Sequence, residues 1–229
     1  MYIIKKIRSL TRFELALWLF SLAGVTLSSL LAPTFDPLSL AASAVGVTAL
    51  IFVAKGEPLG QVLTVVFSVL YGIISFSFRY YGEMLTYLGM SAPMAVLAVI
   101  AWVRNPYEQG RTEVRVNRLG RVEIAVMLAL SAAVTAVFYF VLEYFDTANL
   151  LPSTISVTTS FLASYLTFRR SAFYALAYAA NDVVLIVLWV LAALEDPAYL
   201  PMILCFVMFL LNDTYGFFTW LRRLRSQTA

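Results

Sequence analysis

The sequence has no histidine and only one cysteine, Cys205, among its 229 residues. Without histidine the commonest metal ligand and the usual general base are missing, which argues against zinc hydrolase chemistry. A single cysteine excludes both a disulfide framework and a cysteine-rich metal site. Charged residues make up only 13% of the chain and hydrophobic residues 62%, a balance far from that of a soluble domain. We therefore expect an integral membrane protein without a metal or a cofactor.

Eight apolar segments are long enough to cross a hydrocarbon core, so we predict an all-α polytopic membrane protein with eight transmembrane helices. Its residues 1–229 would form a single membrane domain. No small-residue cleavage site follows the basic N-terminus, so the first segment is expected to be a retained span. The segments lie at about 14–32, 37–54, 59–78, 83–103, 122–143, 150–168, 171–194 and 198–221.

The basic residues predict the orientation of these spans. With the N-terminus inside, fifteen of the sixteen Lys and Arg residues fall on the cytoplasmic side and only Arg79 falls outside. The positive-inside rule therefore places both termini in the cytoplasm. The small positive net charge is accounted for by these anchors, so we expect a lipid bilayer and no nucleic acid as partner.

An internal repeat appears when the chain is shifted by 118 residues. The shift pairs Tyr71 with Trp189, and Trp102 with Trp220. It predicts a first three-helix repeat over 37–104, a linker helix over 122–145 and a second repeat over 150–225, with an extra N-terminal helix over 13–33. The linker restores the direction of the chain, so the repeats are parallel, as in transporters that bind substrate near the midplane between repeats.

Two Asn-Asp pairs interrupt segments that are otherwise apolar. Asn181 and Asp182 lie within the seventh segment, and Asn212 and Asp213 lie within the eighth. A carboxylate near the bilayer centre costs roughly 2.5–3.5 kcal/mol, so such residues usually face a bundle interior or a watery cavity. These positions are therefore the strongest indication of a binding site.

Helical periodicity selects further candidates around the two pairs. On the eighth segment Asn212, Tyr215 and Gly216 follow a spacing of three and four residues, which puts them on one face. On the seventh segment Tyr178, Asp182 and Trp189 share a face in the same way. Together with the counterparts from the first repeat, the predicted substrate-binding residues are Asp182, Asn212, Asn181, Tyr215, Trp189, Tyr178, Gln61, Tyr71 and Asp213. For Asp213, which points about 100° away from Asn212, substrate binding, a structural pairing and protonation all stay open.

Several motifs resemble the PnuC family of nicotinamide riboside transporters. They are Asn212-x-x-Tyr215-Gly216-x-x-x-Trp220 at the end of the last segment, Tyr81-Gly82-Glu83-Met84, and Trp102-x-Arg104-Asn105. Asp182 matches the acid of the penultimate helix of that family. The resemblance covers nearly all of 37–225, and the order and spacing of the motifs are more specific than any single one.

The resemblance implies a SWEET-like bundle with a three-plus-one-plus-three plan, which agrees with the repeat. It also implies a homotrimer in the plasma membrane of a prokaryote. Such a protein would import nicotinamide riboside by facilitated diffusion, and phosphorylation in the cytoplasm would trap the substrate.

Some positions depart from the family pattern and keep other functions open. Ala175 and Tyr178 stand where the family typically has tryptophans, Ser164 stands where it often has glutamine, and Asp213 is an additional acid. Thiamine or another nucleoside-like vitamin is therefore an alternative substrate, and Asp182 or Asp213 could couple transport to protons. An intramembrane aspartyl enzyme is a remote alternative, since two acids on consecutive helices could form a dyad.

Overall fold

The structure is a computed structural model that describes residues 6–108, 110, 112–147 and 149–227. Eight long helices make up most of this part of the chain, and its β structure is limited to two isolated bridges. The helices are α1 Arg12–Leu31, α2 Pro37–Ala54, α3 Pro58–Ser77, α4 Tyr81–Val103, α5 Arg121–Tyr144, α6 Leu150–Phe168, α7 Tyr174–Glu195 and α8 Leu200–Ser226.

Seven of these helices are long and apolar enough to cross a membrane. The exception is α6, in which eight of the 19 residues are serine or threonine and lower the hydropathy. The predicted all-α polytopic membrane protein is therefore confirmed, with seven candidate spans among the described residues.

Local sequence signals explain where the helices begin. Thr11 caps α1 through a capping box, in which its side chain accepts from the Glu14 backbone while the Glu14 side chain accepts from the Thr11 backbone. Asp36 caps α2 in a similar way and is followed by Pro37 at the first helical position. Proline fits there because the amide hydrogen that it lacks has no partner within the helix.

Helix α4 contains one irregular turn. Residues Tyr87–Ser91 are π-helical, between α-helical turns at Tyr81–Thr86 and Ala92–Val103. A π-turn inserts an extra residue into the helix and is frequent at functional sites. It changes the direction in which Tyr87 and Ser91 point relative to the rest of α4.

One end of the bundle carries most of the basic residues, and we call it the basic end. Part of the segment between α4 and α5 packs across this end. Val114 is fully buried and its backbone amide donates to Gly56 at 2.9 Å. The amides of Val116 and Asn117 donate to Gln227 and Arg170, so this segment ties together the ends of α2, α6 and α8.

Two tryptophans close the bundle near its basic end, and each donates a hydrogen bond to a backbone carbonyl of another helix. Trp102 of α4 donates from Nε1 to the carbonyl of Thr167 at 2.9 Å, and Trp220 of α8 donates to the carbonyl of Val53 at 3.0 Å. Thr167 and Val53 are the second-last residues of α6 and α2, respectively. The two indole rings also contact each other, with centroids 5.3 Å apart.

Helices α2 and α3 approach each other closely at Gly60. A Cβ atom at Gly60 would lie 2.4 Å from the backbone nitrogen of Val53, so no larger residue fits without moving the helices apart. Gly89 is exposed, and a Cβ atom there would meet no atom of another element within 4 Å.

We therefore expect Gly60→Ala to destabilise the protein by about 1–3 kcal/mol through overpacking. The matched control Gly89→Ala should leave stability unchanged or raise it by roughly 0.5–1 kcal/mol. Thermal unfolding of the two purified variants in detergent measures the difference. Equal melting temperatures for both variants would contradict the close approach of α2 and α3.

Candidate functional site

A cavity lies in the interior of the bundle, between α2, α3, α4, α6, α7 and α8. Its walls combine carboxylate, amide and hydroxyl groups with aromatic rings. The lining residues are Gly46, Ala49, Leu50, Val53, Gln61, Thr64, Phe67, Ser68, Tyr87, Ser91, Ser160, Tyr178, Asn181, Asp182, Phe209 and Asp213.

The two acids of the cavity meet across the interface of α7 and α8. Asp182 and Asp213 are each only 3% exposed, and their carboxyl groups face each other at close range. The Oδ2 atom of Asp182 has no hydrogen-bond partner among the described residues. Two ionised carboxylates so close together repel each other. Either a proton on one of them or a cation beside them would relieve the repulsion.

Helix α6 supplies hydroxyl groups that orient the polar residues of α7. The Asn181 side-chain oxygen accepts hydrogen bonds from Thr159 at 2.7 Å and from Ser160 at 3.0 Å. The Tyr178 hydroxyl lies 3.5 Å from the hydroxyl of Ser164. The serines and threonines that make α6 less apolar therefore position one wall of the cavity.

Aromatic rings form the wall farthest from the basic end. The Phe67 ring meets the Tyr87 ring edge-on with centroids 5.9 Å apart, and it meets the Phe209 ring in the same manner at 5.2 Å. The Phe209 ring packs on Gly46, where a Cβ atom would lie 2.3 Å from Cζ. The π-turn of α4 contributes Tyr87 and Ser91 to the same wall.

Behind this wall, Tyr71 of α3 and Trp189 of α7 join these two helices. Trp189 Nε1 donates to the Tyr71 hydroxyl at 2.9 Å, and both side chains are fully buried. The Trp102–Trp220 contact closes the bundle on the opposite side of the cavity, near the basic end. The cavity is therefore enclosed between two aromatic pairs.

The cavity is small in this conformation. The space open to the centres of water molecules amounts to about 50 Å³. A single water molecule needs about 10–15 Å³ on this measure, and ligand pockets usually measure roughly 300–1,000 Å³. A ligand of nucleoside size would therefore require the aromatic and helical walls to move apart.

Five of the nine predicted site residues line the cavity: Asp182, Asn181, Tyr178, Gln61 and Asp213. Tyr71 and Trp189 lie behind its aromatic wall, where they bond to each other.

The other two predicted residues, Asn212 and Tyr215, face α1 instead of the cavity. Asn212 donates to Ser21 at 2.9 Å, and the Tyr215 hydroxyl donates to Glu14 at 3.1 Å. Helix geometry explains why some residues of α8 face the bundle interior and others face α1. The spacing of Phe209, Asp213 and Trp220 puts them on the inward face. Asn212 points about 100° away from Asp213 and therefore toward α1. The expected face of α8 therefore adjoins the face that lines the cavity.

Six further residues line the cavity that are not among the candidates from the sequence: Phe67, Thr64, Ser68, Tyr87, Ser91 and Phe209. Part of this set follows a helical spacing, since Gln61, Thr64, Ser68 and Tyr71 recur at three and four residues along α3. That pattern would have identified Thr64 and Ser68. No such signal marks Tyr87 and Ser91, since their direction depends on the π-turn.

The comparison with known protein families is decisive for the class of this protein. The model of the nicotinamide mononucleotide transporter family matches residues 36–222, which include α2 to α7 and most of α8. The chain belongs to this family. Members of the nicotinamide mononucleotide transporter family are transporters and not enzymes, so the chain is a multi-pass membrane transporter.

Two individual proteins show how far the similarity to the family extends. The chain is 26% identical over 227 residues to the nicotinamide riboside transporter PnuC of Neisseria mucosa, covering 96% of this chain and 84% of that protein. It is also similar in fold to a crystal structure of the vitamin B3 transporter PnuC, with a TM-score of 0.83 and 23% identity over 96% of this chain and 94% of the other. The fold of this family member therefore extends over nearly the whole chain.

We expect Tyr71→Phe to destabilise the protein by about 1–3 kcal/mol, because it leaves the buried N–H of Trp189 without an acceptor. The matched control is Tyr139→Phe, which changes a half-exposed tyrosine on α5. Thermal unfolding in detergent should give a lower melting temperature for Tyr71→Phe than for the control. If adding Trp189→Phe to Tyr71→Phe lowers stability by the full single-variant cost again, the two side chains are not coupled.

Proposed function

We propose that this protein carries nicotinamide riboside across the membrane by facilitated diffusion. The observation that carries the proposal is the pair of facing carboxyl groups, Asp182 and Asp213, inside a cavity enclosed between two aromatic pairs. Membership in the transporter family and the name of the Neisseria mucosa relative support the choice of substrate.

The chemistry of the cavity suits this substrate. Nicotinamide riboside carries its positive charge on an aromatic ring, and an acid pair attracts such a charge strongly in a site that excludes water. The rings of Phe67, Tyr87 and Tyr178 can add cation–π contacts of roughly 0.5–2 kcal/mol each. Asn181 and Gln61 offer amide groups for the hydroxyls of the ribose. Of the predicted site residues, Asn212, Tyr215, Tyr71 and Trp189 then act behind the site, through the helices that carry the lining residues.

We also propose that the bundle consists of two parallel three-helix repeats, 37–104 and 150–225, with 122–145 as the linker and 13–33 as an extra helix. Tyr71 and Trp189 are 118 residues apart in the sequence, as are Trp102 and Trp220, and each pair is in contact. Equivalent residues touch each other only near the axis that relates two repeats. This supports a SWEET-like plan with the cavity on that axis, and with α6 as the eighth span.

The proposed orientation has the basic end of the bundle and both termini in the cytoplasm, in the plasma membrane of a prokaryote. The positive-inside rule supports it. The homotrimer stays a prediction from the family resemblance.

The two aromatic pairs suggest how transport proceeds. Separation of Tyr71 from Trp189 would open the cavity outward, and separation of Trp102 from Trp220 would open it to the cytoplasm. Because each pair bridges the two repeats, a rocking motion of one repeat against the other can break one pair at a time. No ion gradient is needed for such a cycle, and phosphorylation of the substrate in the cytoplasm would make uptake unidirectional.

A second candidate mechanism is proton-coupled transport, which the meeting of Asp182 and Asp213 favours. A proton shared between the two acids would be displaced by a cationic ligand and could travel with the cycle. Thiamine, which also carries a positive ring, is the alternative substrate that the same acid pair would accept. The acids satisfy the geometric condition of an aspartyl dyad, but a family of transporters offers no support for an enzyme.

Purified protein in liposomes should bring labelled nicotinamide riboside to equal concentrations on both sides without an ion gradient. Valinomycin and potassium on both sides hold the membrane potential at zero, so that the charge of the substrate does not oppose its movement. Accumulation above equilibrium on imposing a proton gradient would instead establish the coupled mechanism. A parallel assay with labelled thiamine decides between the two substrates.

Asp182→Asn should weaken binding of nicotinamide riboside about tenfold, or about 1.4 kcal/mol, because the cavity loses an acceptor and half of its acidic pair. Glu195→Gln removes an exposed acid at the far end of the same helix and serves as the control. Isothermal titration calorimetry on both variants measures the dissociation constants. Unchanged affinity in Asp182→Asn would remove the acid pair from the binding site.

A further inference from the structure

Glu83, in the first turn of α4, is a buried acid that the proposed site does not use. Its side chain is 1% exposed, and neither carboxylate oxygen has a hydrogen-bond partner among the described residues. A carboxylate inside a membrane helix without such a partner is costly, and acids in such positions usually mark an ion or substrate pathway.

The position of Glu83 at a helix start does not account for its burial. A negative charge near a helix N-terminus is favourable, typically by about 0.3–1 kcal/mol on exposed surfaces. A capping carboxylate, however, accepts from the backbone amides of the first turn and is usually open to solvent. Glu83 neither accepts from these amides nor is exposed to solvent. Its burial is better explained if its carboxyl group binds a ligand that is present only for part of the transport cycle.

Glu83 and Ser156 lie next to the cavity, one helical turn farther from the basic end. Glu83 precedes the cavity residue Tyr87 by four positions on α4, and Ser156 precedes the cavity residue Ser160 by four on α6. Ser156 is fully buried, its hydroxyl has no hydrogen-bond partner among the described residues, and it faces the Glu83 carboxyl without forming a bond of normal geometry. Two polar side chains from different helices, neither of them bonded, therefore face each other just beyond the aromatic wall.

The π-turn gives an independent reason to regard this part of α4 as functional. It begins at Tyr87, directly after the turns that carry Glu83, and both Tyr87 and Ser91 line the cavity. A change between π and α geometry at this point would rotate Glu83 relative to Tyr87 and Ser91. Such a rotation could bring the Glu83 carboxyl group toward the cavity.

We infer that Glu83 and Ser156 form a second subsite for a cationic group, which the substrate occupies on its way between the outer solution and the acid pair Asp182–Asp213. This inference rests on the proposed function. Transport requires that a site bind the substrate strongly enough for it to enter and weakly enough for it to leave. Several successive sites of moderate affinity meet this requirement better than one strong site. Glu83 then provides the negative charge on the outer side, and the Asp182–Asp213 pair provides it at the centre.

The test separates the rate of transport from affinity. In Glu83→Gln the initial rate of nicotinamide riboside uptake into liposomes, at concentrations below KM, should fall about tenfold, whereas the dissociation constant of the purified protein should stay within about twofold. Glu83→Asp keeps the charge and should recover most of the rate. Glu143→Gln, which changes an exposed acid at the same end of the bundle, is the control. Melting temperatures of all variants are measured in the same detergent.

Three results would overturn the subsite. The first is an unchanged uptake rate in Glu83→Gln, and the second is an equal loss of affinity and rate, which would make Glu83 part of the central site or of the fold. The third is a Glu83→Asp variant as slow as Glu83→Gln, since charge would then not matter. If Glu83→Gln fails to fold, Ser156→Ala carries the test, with a reduced rate and unchanged affinity as the supporting result. Wild-type protein that fails to move nicotinamide riboside would disprove the proposed function itself, and the subsite with it.

Discussion

A carboxylate inside a membrane bundle must face another polar group, a proton or a cationic ligand, and this constraint governs the centre of the protein. Asp182 and Asp213 face each other in the cavity, where a shared proton or a cationic ligand would satisfy it, while the serines and threonines of α6 provide partners for Asn181. Helix α6 is less apolar than its neighbours for the same reason. The polar residues of three helices are thus gathered around one point, and the apolar remainder of each helix faces lipid or its neighbours.

The two ends of the cavity are closed by different kinds of contact between helices. Tyr71 and Trp189 share a hydrogen bond between side chains, whereas Trp102 and Trp220 bond to the carbonyls at the ends of α6 and α2. Both closures lie in aromatic clusters, since Tyr71 also contacts Tyr87 and Phe206, and Trp220 also contacts Tyr174.

Helix α1 contributes more to the second half of the bundle than an extra span would suggest. Its Glu14 accepts from Tyr215 and its Ser21 accepts from Asn212, so two conspicuous polar residues of α8 bond to α1 and not within the cavity. Glu14 is in turn paired with Lys55 at the end of α2. The family motif Asn212-x-x-Tyr215 therefore has a structural explanation in this chain, as the attachment of α8 to α1.

The sequence alone determined the all-helical membrane class and the approximate positions of the long apolar helices, because hydrophobic length and helix caps act locally. Five of the residues that it marked, Asp182, Asn181, Tyr178, Gln61 and Asp213, line the cavity, because a polar residue in an apolar helix tends to face inward. Only the tertiary structure decided between Asn212 and Asp213, which differ by about 100° in direction and find their partners on different helices. The same holds for Tyr87, Ser91 and Glu83, whose directions depend on the π-turn and on how α4 packs against α3 and α6.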